Sequence, residues 1–375
     1  MRRLLLLNFV LVLSPGVCAQ PSLVRTEALD APSKHAWNLF MLLNHPAKDP
    51  KTGRGIPDTA KPLGAPGSTS VWETWRLAKT EVFLKRGVEP PAWDDLRLPG
   101  GPTTGRVPEE PKPLLVNRAQ ARPKGGFRIL FDEDGIWDPK TGGGFGETRM
   151  NRALYEAIKA NKLYSKEGQQ RYAAEAVKGS KPLLSFPVDS MEVKAAWRSL
   201  TQDEIKQGKD KTYYVAEWEG QKYGLITLHI ITKDVPNWFW ATFHHKDNPS
   251  NEFEKEDLFP KPKAVIGTVW ENYVLGGTQT DFMTAQGDPI ILSDFYVENG
   301  FLRSSCISCH SLASAAPPNE GSLSPDSFLI GPPNPALFFK DQRRTQLRII
   351  QTDFLWSLPI RAKSEKESDT GSATK

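Results

Sequence analysis

The chain has 375 residues, a net charge of +4, 25% charged and 10% aromatic residues, and three cysteines. A chain this long can bury its own core, and so few cysteines exclude a disulfide-stapled scaffold. Lysines and arginines are interspersed with acids throughout, without the basic stripe that follows a phosphate backbone, which sets nucleic acid aside as a partner.

Residues 1–19 read as a secretory signal: Arg2 and Arg3, an apolar run from Leu4 to Leu13, and Val17-Cys18-Ala19 before Gln20. That run is shorter than the roughly 20 residues needed to cross a bilayer. No later stretch is long enough without charges, so a periplasmic or secreted protein without a membrane span is expected, with only Cys306 and Cys309 left as thiols.

Residues 20–122 are rich in proline and glycine and hold two predicted helices. The first runs from Ser33 to Leu43, with Ala36, Trp37, Phe40 and Met41 at helical spacing. The second runs from Ser70 to Gly87, opening on the capping-box pattern Ser70-Val71-Trp72-Glu73. Pro99 to Pro113 reads as a linker. Phe127 to Leu130 suggests a short strand, and Asp132 to Gly146 an acidic, glycine-bearing loop. Helices are predicted over Arg149–Asn161 and Ser165–Lys178.

The period then changes to two. Met191, Val193, Ala195 and Trp197 alternate with Glu192, Lys194, Ala196 and Arg198, as on a strand. Tyr213–Trp218 and Lys222–Ile231 flank a hairpin turn at Glu219-Gly220-Gln221. In the strand Trp238–His245, Trp238, Trp240, Thr242 and His244 share one face, and Phe239, Ala241, Phe243 and His245 the other. Residues 362–375 form a charged, serine-rich tail expected to be disordered. The fold class expected is α+β: a β-rich domain over residues 123–361 with its chemical motif near the C-terminal end, preceded by the helical extension that packs on it.

Cys306-Ile307-Ser308-Cys309-His310 is the attachment sequence for one covalent haem c. Two thiols one helical turn apart can bond the two vinyl groups, and the adjoining imidazole then reaches the iron. A dithiol pair or half a zinc site is the competing reading, but a zinc site needs four ligands and no second pair at such spacing exists.

His310 is thus the expected proximal ligand, with Cys306 and Cys309 the covalent anchors. No methionine follows His310, so a second ligand has to come from upstream: His229, His244 or His245, or Met283, Met191 or Met41. The alternative is an open iron face. His244 and His245 are adjacent, so only one can face a haem from a strand, and His245 leads because it shares a face with Phe239 and Phe243.

The chain resembles the exported bacterial cytochrome c family over most of its mature length. The likeness is carried by Gly135-Ile136-Trp137-Asp138-Pro139-Lys140, Phe186-Pro187, Glu192 to Arg198, Gly224 to Ile230, Trp238 to Asn248, Asn272-Tyr273, Gly277-Thr278-Gln279 and Ser304 to His310. In that family the position of His244 is commonly glutamate and that of His245 histidine, which again points to His245. A fainter likeness, through Asp353-Phe354-Leu355-Trp356, is to the haem-lysine hydroxylamine-oxidising cytochromes and the β-type cytochromes c-prime, whose distal iron face is open. The resemblance implies haem binding and says little about mechanism; for a protein carrying one haem, the first reading is electron transfer with a periplasmic redox partner protein. The open-face alternative is a haem enzyme or small-gas binder handling peroxide or nitrogen oxides.

Overall fold

The computed structural model describes residues 26–96, 144–218, 220–249, 251–253, 257–298, 301–326 and 328–366. The signal sequence, the linker Pro99–Pro113, the strand expected at Phe127–Leu130 and most of the acidic loop lie outside the described residues.

Seven strands form one antiparallel sheet: β1 (Arg76–Leu77), β2 (Gly144–Met150), β3 (Met191–Ser199), β4 (Val215–Trp218), β5 (Gln221–Thr232), β6 (Phe239–His245) and β7 (Tyr273–Gln279). The order is β1-β2-β3-β5-β6-β7, with β4 pairing the first part of β5. Gly220 adopts φ 75 between the paired residues Trp218 and Gln221, a conformation glycine reaches without a Cβ penalty. The mixture of helices and an antiparallel sheet agrees with the expected α+β class.

Registry fixes which side chains meet. Glu192 pairs Ile231 and Lys194 pairs His229 across β3 and β5, while His229 pairs Thr242 and Ile231 pairs Trp240 across β5 and β6. Because alternate residues point to opposite sides, these side chains share one face. Val193, Ala195, Leu228, Ile230, Phe239 and Phe243 share the other, and all are buried in the main core.

That second face is covered by the helix Pro32–Leu43, which begins on proline and ends where Asn44 Nδ2 donates to the Phe40 carbonyl. Phe40 stacks on Phe243 with ring centroids 4.3 Å apart, and Trp37 meets Phe243 edge-on at 4.9 Å. His35 Nε2 bonds Asp234 at 2.9 Å, tying the helix to the end of β5. Such ring pairs contribute about 0.5–1.5 kcal/mol each beyond the area they bury. The N-terminal segment is therefore part of the core, not a detachable wrap.

The continuous helix expected over Ser70–Gly87 is not formed. Glu73 does accept the Ser70 amide at 2.7 Å, but only a 3₁₀ turn, Trp72–Thr74, follows. Arg76 and Leu77 then leave the helical path to pair with Met150 and Arg149 as the edge strand β1, and a π-type turn, Ala78–Val82, succeeds them. Pairing with β2, together with the burial of Trp72, Trp75 and Arg76, outweighs the local capping signal. The helix expected from Arg149 starts later, at Arg152 (Arg152–Ala160), because Arg149 and Met150 belong to β2. Lys166–Val177 is helical as expected, capped by Ser165. The tail is held at its start: Lys363 bridges Ser165, and Glu365 Oε1 accepts from Arg171 and from the Ser165 hydroxyl.

Candidate functional site

A short helix, Cys306–His310, carries the motif and lies over the polar face of the sheet. Several contacts set its position. Gln279, the last residue of β7, donates to Ser305 Oγ and accepts from the Ile307 amide, so it clamps the helix start. Leu292 bridges Ser305, and its carbonyl accepts from Cys306 Sγ at 3.1 Å. Behind the helix, β8 (Ser314–Ala315) pairs with β9 (Ile350–Gln351), which brings the segment 352–361 back onto the motif. Trp356 Nε1 there donates to the Cys309 carbonyl at 3.0 Å.

Between helix and sheet lies a cavity that opens to solvent. Cys306, Cys309 and His310 line one side. Thr148, Glu192, Lys194, His229, Trp240 and Thr242 line the sheet side, and Glu298, Trp356, Ser357 and Arg361 contribute from the surrounding segments.

His310 Nδ1 lies 2.7 Å from the Phe354 carbonyl oxygen. A carbonyl only accepts, so Nδ1 carries the proton and Nε2 keeps its lone pair. The Trp240 ring meets the imidazole edge-on at 4.7 Å and fixes its orientation. Burial brings the His310 pKa down to about 4, so the ring is neutral at ordinary pH, the form that binds metal. Burial likewise pushes the Cys309 thiol up to about 12.

The carbonyl that holds His310 is itself carefully placed. Asp353 and Phe354 both have positive φ, 48 and 68, a region that non-glycine residues rarely occupy in succession. Asp353 anchors this turn from both carboxylate oxygens: Oδ1 accepts from Lys233 Nζ at 2.6 Å and Oδ2 from the Phe186 amide at 2.7 Å. Strained backbone at a ligand-holding residue is typical of functional sites.

The histidines separate clearly. His229 lines the cavity: its Nδ1 is 2.9 Å from Thr242 Oγ1, and its Nε2 is buried without a hydrogen-bond partner. Glu298 Oε2 stands 3.7 Å from that nitrogen, beyond hydrogen-bond reach, and burial together with the nearby Lys194 charge lowers the ring's pKa to about 3. His245 is not brought to the cavity. It lies on the opposite face of β6, stacked on Tyr213 at 3.6 Å, with Nε2 donating to the Thr212 carbonyl and Nδ1 accepting from the Asp247 amide. His244 lies beside the buried Asp294, at 3.8 Å. Met191 belongs to the main core and Met41 packs against it, while Met283 bridges Pro289; none lines the cavity.

The donor set fits a covalent haem: two thiols on one helical turn, a neutral imidazole with its lone pair free, and beside them a cavity with a buried nitrogen lacking a hydrogen-bond partner on the sheet side. Among the described residues no cluster of three or more histidine, cysteine or acidic side chains is placed to hold a bare metal ion. No helix among them is long and apolar enough to cross a membrane. In comparisons with family models, curated proteins and solved structures, the chain finds no match.

Sequence reading missed Gln279, Lys194, Glu192 and the Lys233–Asp353 pair as parts of the site. For Lys194 and Glu192 a signal existed, namely charge on the alternate face of a strand otherwise apolar.

Proposed function

We propose that this chain is an exported c-type cytochrome that holds one haem through Cys306 and Cys309, with His310 as proximal iron ligand, and passes electrons to and from a periplasmic redox partner. The observation that carries the reading is the bond from His310 Nδ1 to the Phe354 carbonyl, made one residue from a pair of thiols lining the same cavity. Metal-ligating histidines commonly donate their second ring N–H to a carbonyl in this way, which fixes the ring and raises its basicity.

When bound, the group would supply a one-electron iron couple. The protein's part is to set its environment. Cys306 and Cys309 would anchor it at one helical turn, Gln279 holds that turn against β7, and Trp240 and Trp356 keep the imidazole side dry. A buried site favours the less charged iron state and so raises the potential, while a strongly hydrogen-bonded imidazole works in the other direction.

A second reading, an open-faced haem enzyme or small-gas binder, is favoured by the charged residues of the cavity: Glu192, Lys194 and Glu298 could handle protons, and Arg361 adds a fixed positive charge. Absorption spectra of the purified mature protein, oxidised and reduced, with and without carbon monoxide, separate the two. The electron-transfer reading expects sharp low-spin bands that ignore carbon monoxide; high-spin bands that shift with it would put the second reading first.

A further inference from the structure

The polar face of the sheet presents to the motif one buried nitrogen that the protein leaves without a partner. We infer that His229, through Nε2, would hold the iron as a second protein ligand beside His310. This rests on the haem-carrying reading above.

The two rings are built alike. In His310, Nδ1 is held on the protein side by a carbonyl and Nε2 is left for the cavity. In His229, Nδ1 is held on the protein side by Thr242 Oγ1 at 2.9 Å, and Nε2 is left buried with no hydrogen-bond partner. When Nδ1 donates to the threonine oxygen, Nε2 carries a bare lone pair. A buried polar atom without a partner costs about 1–3 kcal/mol, a cost that an iron bound at this nitrogen would offset.

The other groups fail for separate reasons. Among the described residues no methionine lines the cavity, nor does His244, and His245 is committed to Thr212 and Asp247 on the other face. Lys194, the cross-strand neighbour of His229, is already engaged. The elements of His310 and His229 differ, one a short helix and the other a central strand, so the haem would be gripped between the sheet and the loop that returns over it.

The test uses the full chain matured in a host competent for covalent haem attachment. Haem content is read by the pyridine haemochrome after denaturing extraction, and ligation by absorption, electron paramagnetic resonance and carbon monoxide binding. Wild type should be low-spin and indifferent to carbon monoxide. His229→Gln, which retains a polar side chain of similar length, should keep its covalent haem, turn high-spin and bind carbon monoxide, and added imidazole should restore the low-spin spectrum. His229→Met should keep low-spin iron at a higher potential, and is informative even where the glutamine variant folds poorly. His245→Gln should leave the spectrum unchanged. The inference is overturned by a high-spin wild type, or by a His229 variant that retains haem and an unaltered low-spin spectrum. A wild type without covalent haem would instead overturn the cytochrome reading itself, and the haemochrome assay distinguishes that failure from the first.

Discussion

The two faces of one sheet are built from the same strands, residue by residue, yet they do opposite things. Against the helix Pro32–Leu43, the alternate residues of β3, β5 and β6 are aliphatic and aromatic, and ring meets ring at van der Waals distance. Toward the motif helix they are Glu192, Lys194, His229, Trp240 and Thr242, around the cavity. The first face stabilises by burial and dispersion. The second spends stability: buried charges need partners, as where the Ser357 hydroxyl donates to Glu192 at 2.6 Å, and His229 Nε2 lacks one. A protein whose one face is as well packed as this can tolerate a demanding opposite face.

The comparison breaks most sharply at the thiols. Replacing both Cys306 and Cys309 with alanine should reduce the haem that survives denaturing extraction to background, while the aromatic face keeps the fold. Far-ultraviolet circular dichroism checks the second half, and covalent haem at wild-type level in the double variant would end the attachment argument.

Next in size is the converse change. Phe40→Ala removes the ring stacked on Phe243 and should cost about 3–5 kcal/mol of unfolding free energy, the usual range for a buried phenylalanine. Covalent haem content at low denaturant should not change. A loss under 1 kcal/mol would mean that the helix is not the cover that its contacts make it.

The smallest effect sharpens the comparison on the packed face. Burial holds the His245 pKa down at about 4, against about 6.5 in the unfolded chain. Between those values the unfolded state binds more protons, so His245 contributes stability that is fully present above about pH 6.5 and lost as pH falls through about 4, at most about 3 kcal/mol. His245→Gln should flatten the stability profile over that window without altering the spectrum. Denaturant titrations at pH 4.5 and 7 in both proteins measure it, and equal slopes would show that His245 titrates normally.

How far the sequence reached follows the same division. The two-residue period of Met191–Arg198 and of Phe239–His245 was legible, because each strand has one mainly apolar side, and the face assignments hold from Phe239 to His245; Trp238, with φ 62, precedes the strand. That only one of His244 and His245 could look into a given space was legible too. Which face would meet the motif was not. It depends on the helix Pro32–Leu43 covering Phe239 and Phe243 from some 200 positions earlier in the chain, as the separation of 199 between His35 and Asp234 illustrates. Aromatic neighbours pointed to His245, but the aromatics serve the helix. His229 stood only as one candidate among several, because the residues that surround it belong to other strands. The Ser70–Gly87 segment misled for a similar reason: a local cap was outweighed by an edge pairing with β2, whose residues lie more than 70 positions away.

The bond from His310 to the Phe354 carbonyl spans 44 positions of the chain. Its consequence is mechanical. Lys233 and the Phe186 amide hold the turn at Asp353–Phe354, and that turn sets both the direction of the imidazole and the approach of Trp356, Ser357 and Arg361 to the cavity wall. One carboxylate, Asp353, thus anchors two parts of the site at once, and loosening it would loosen both together.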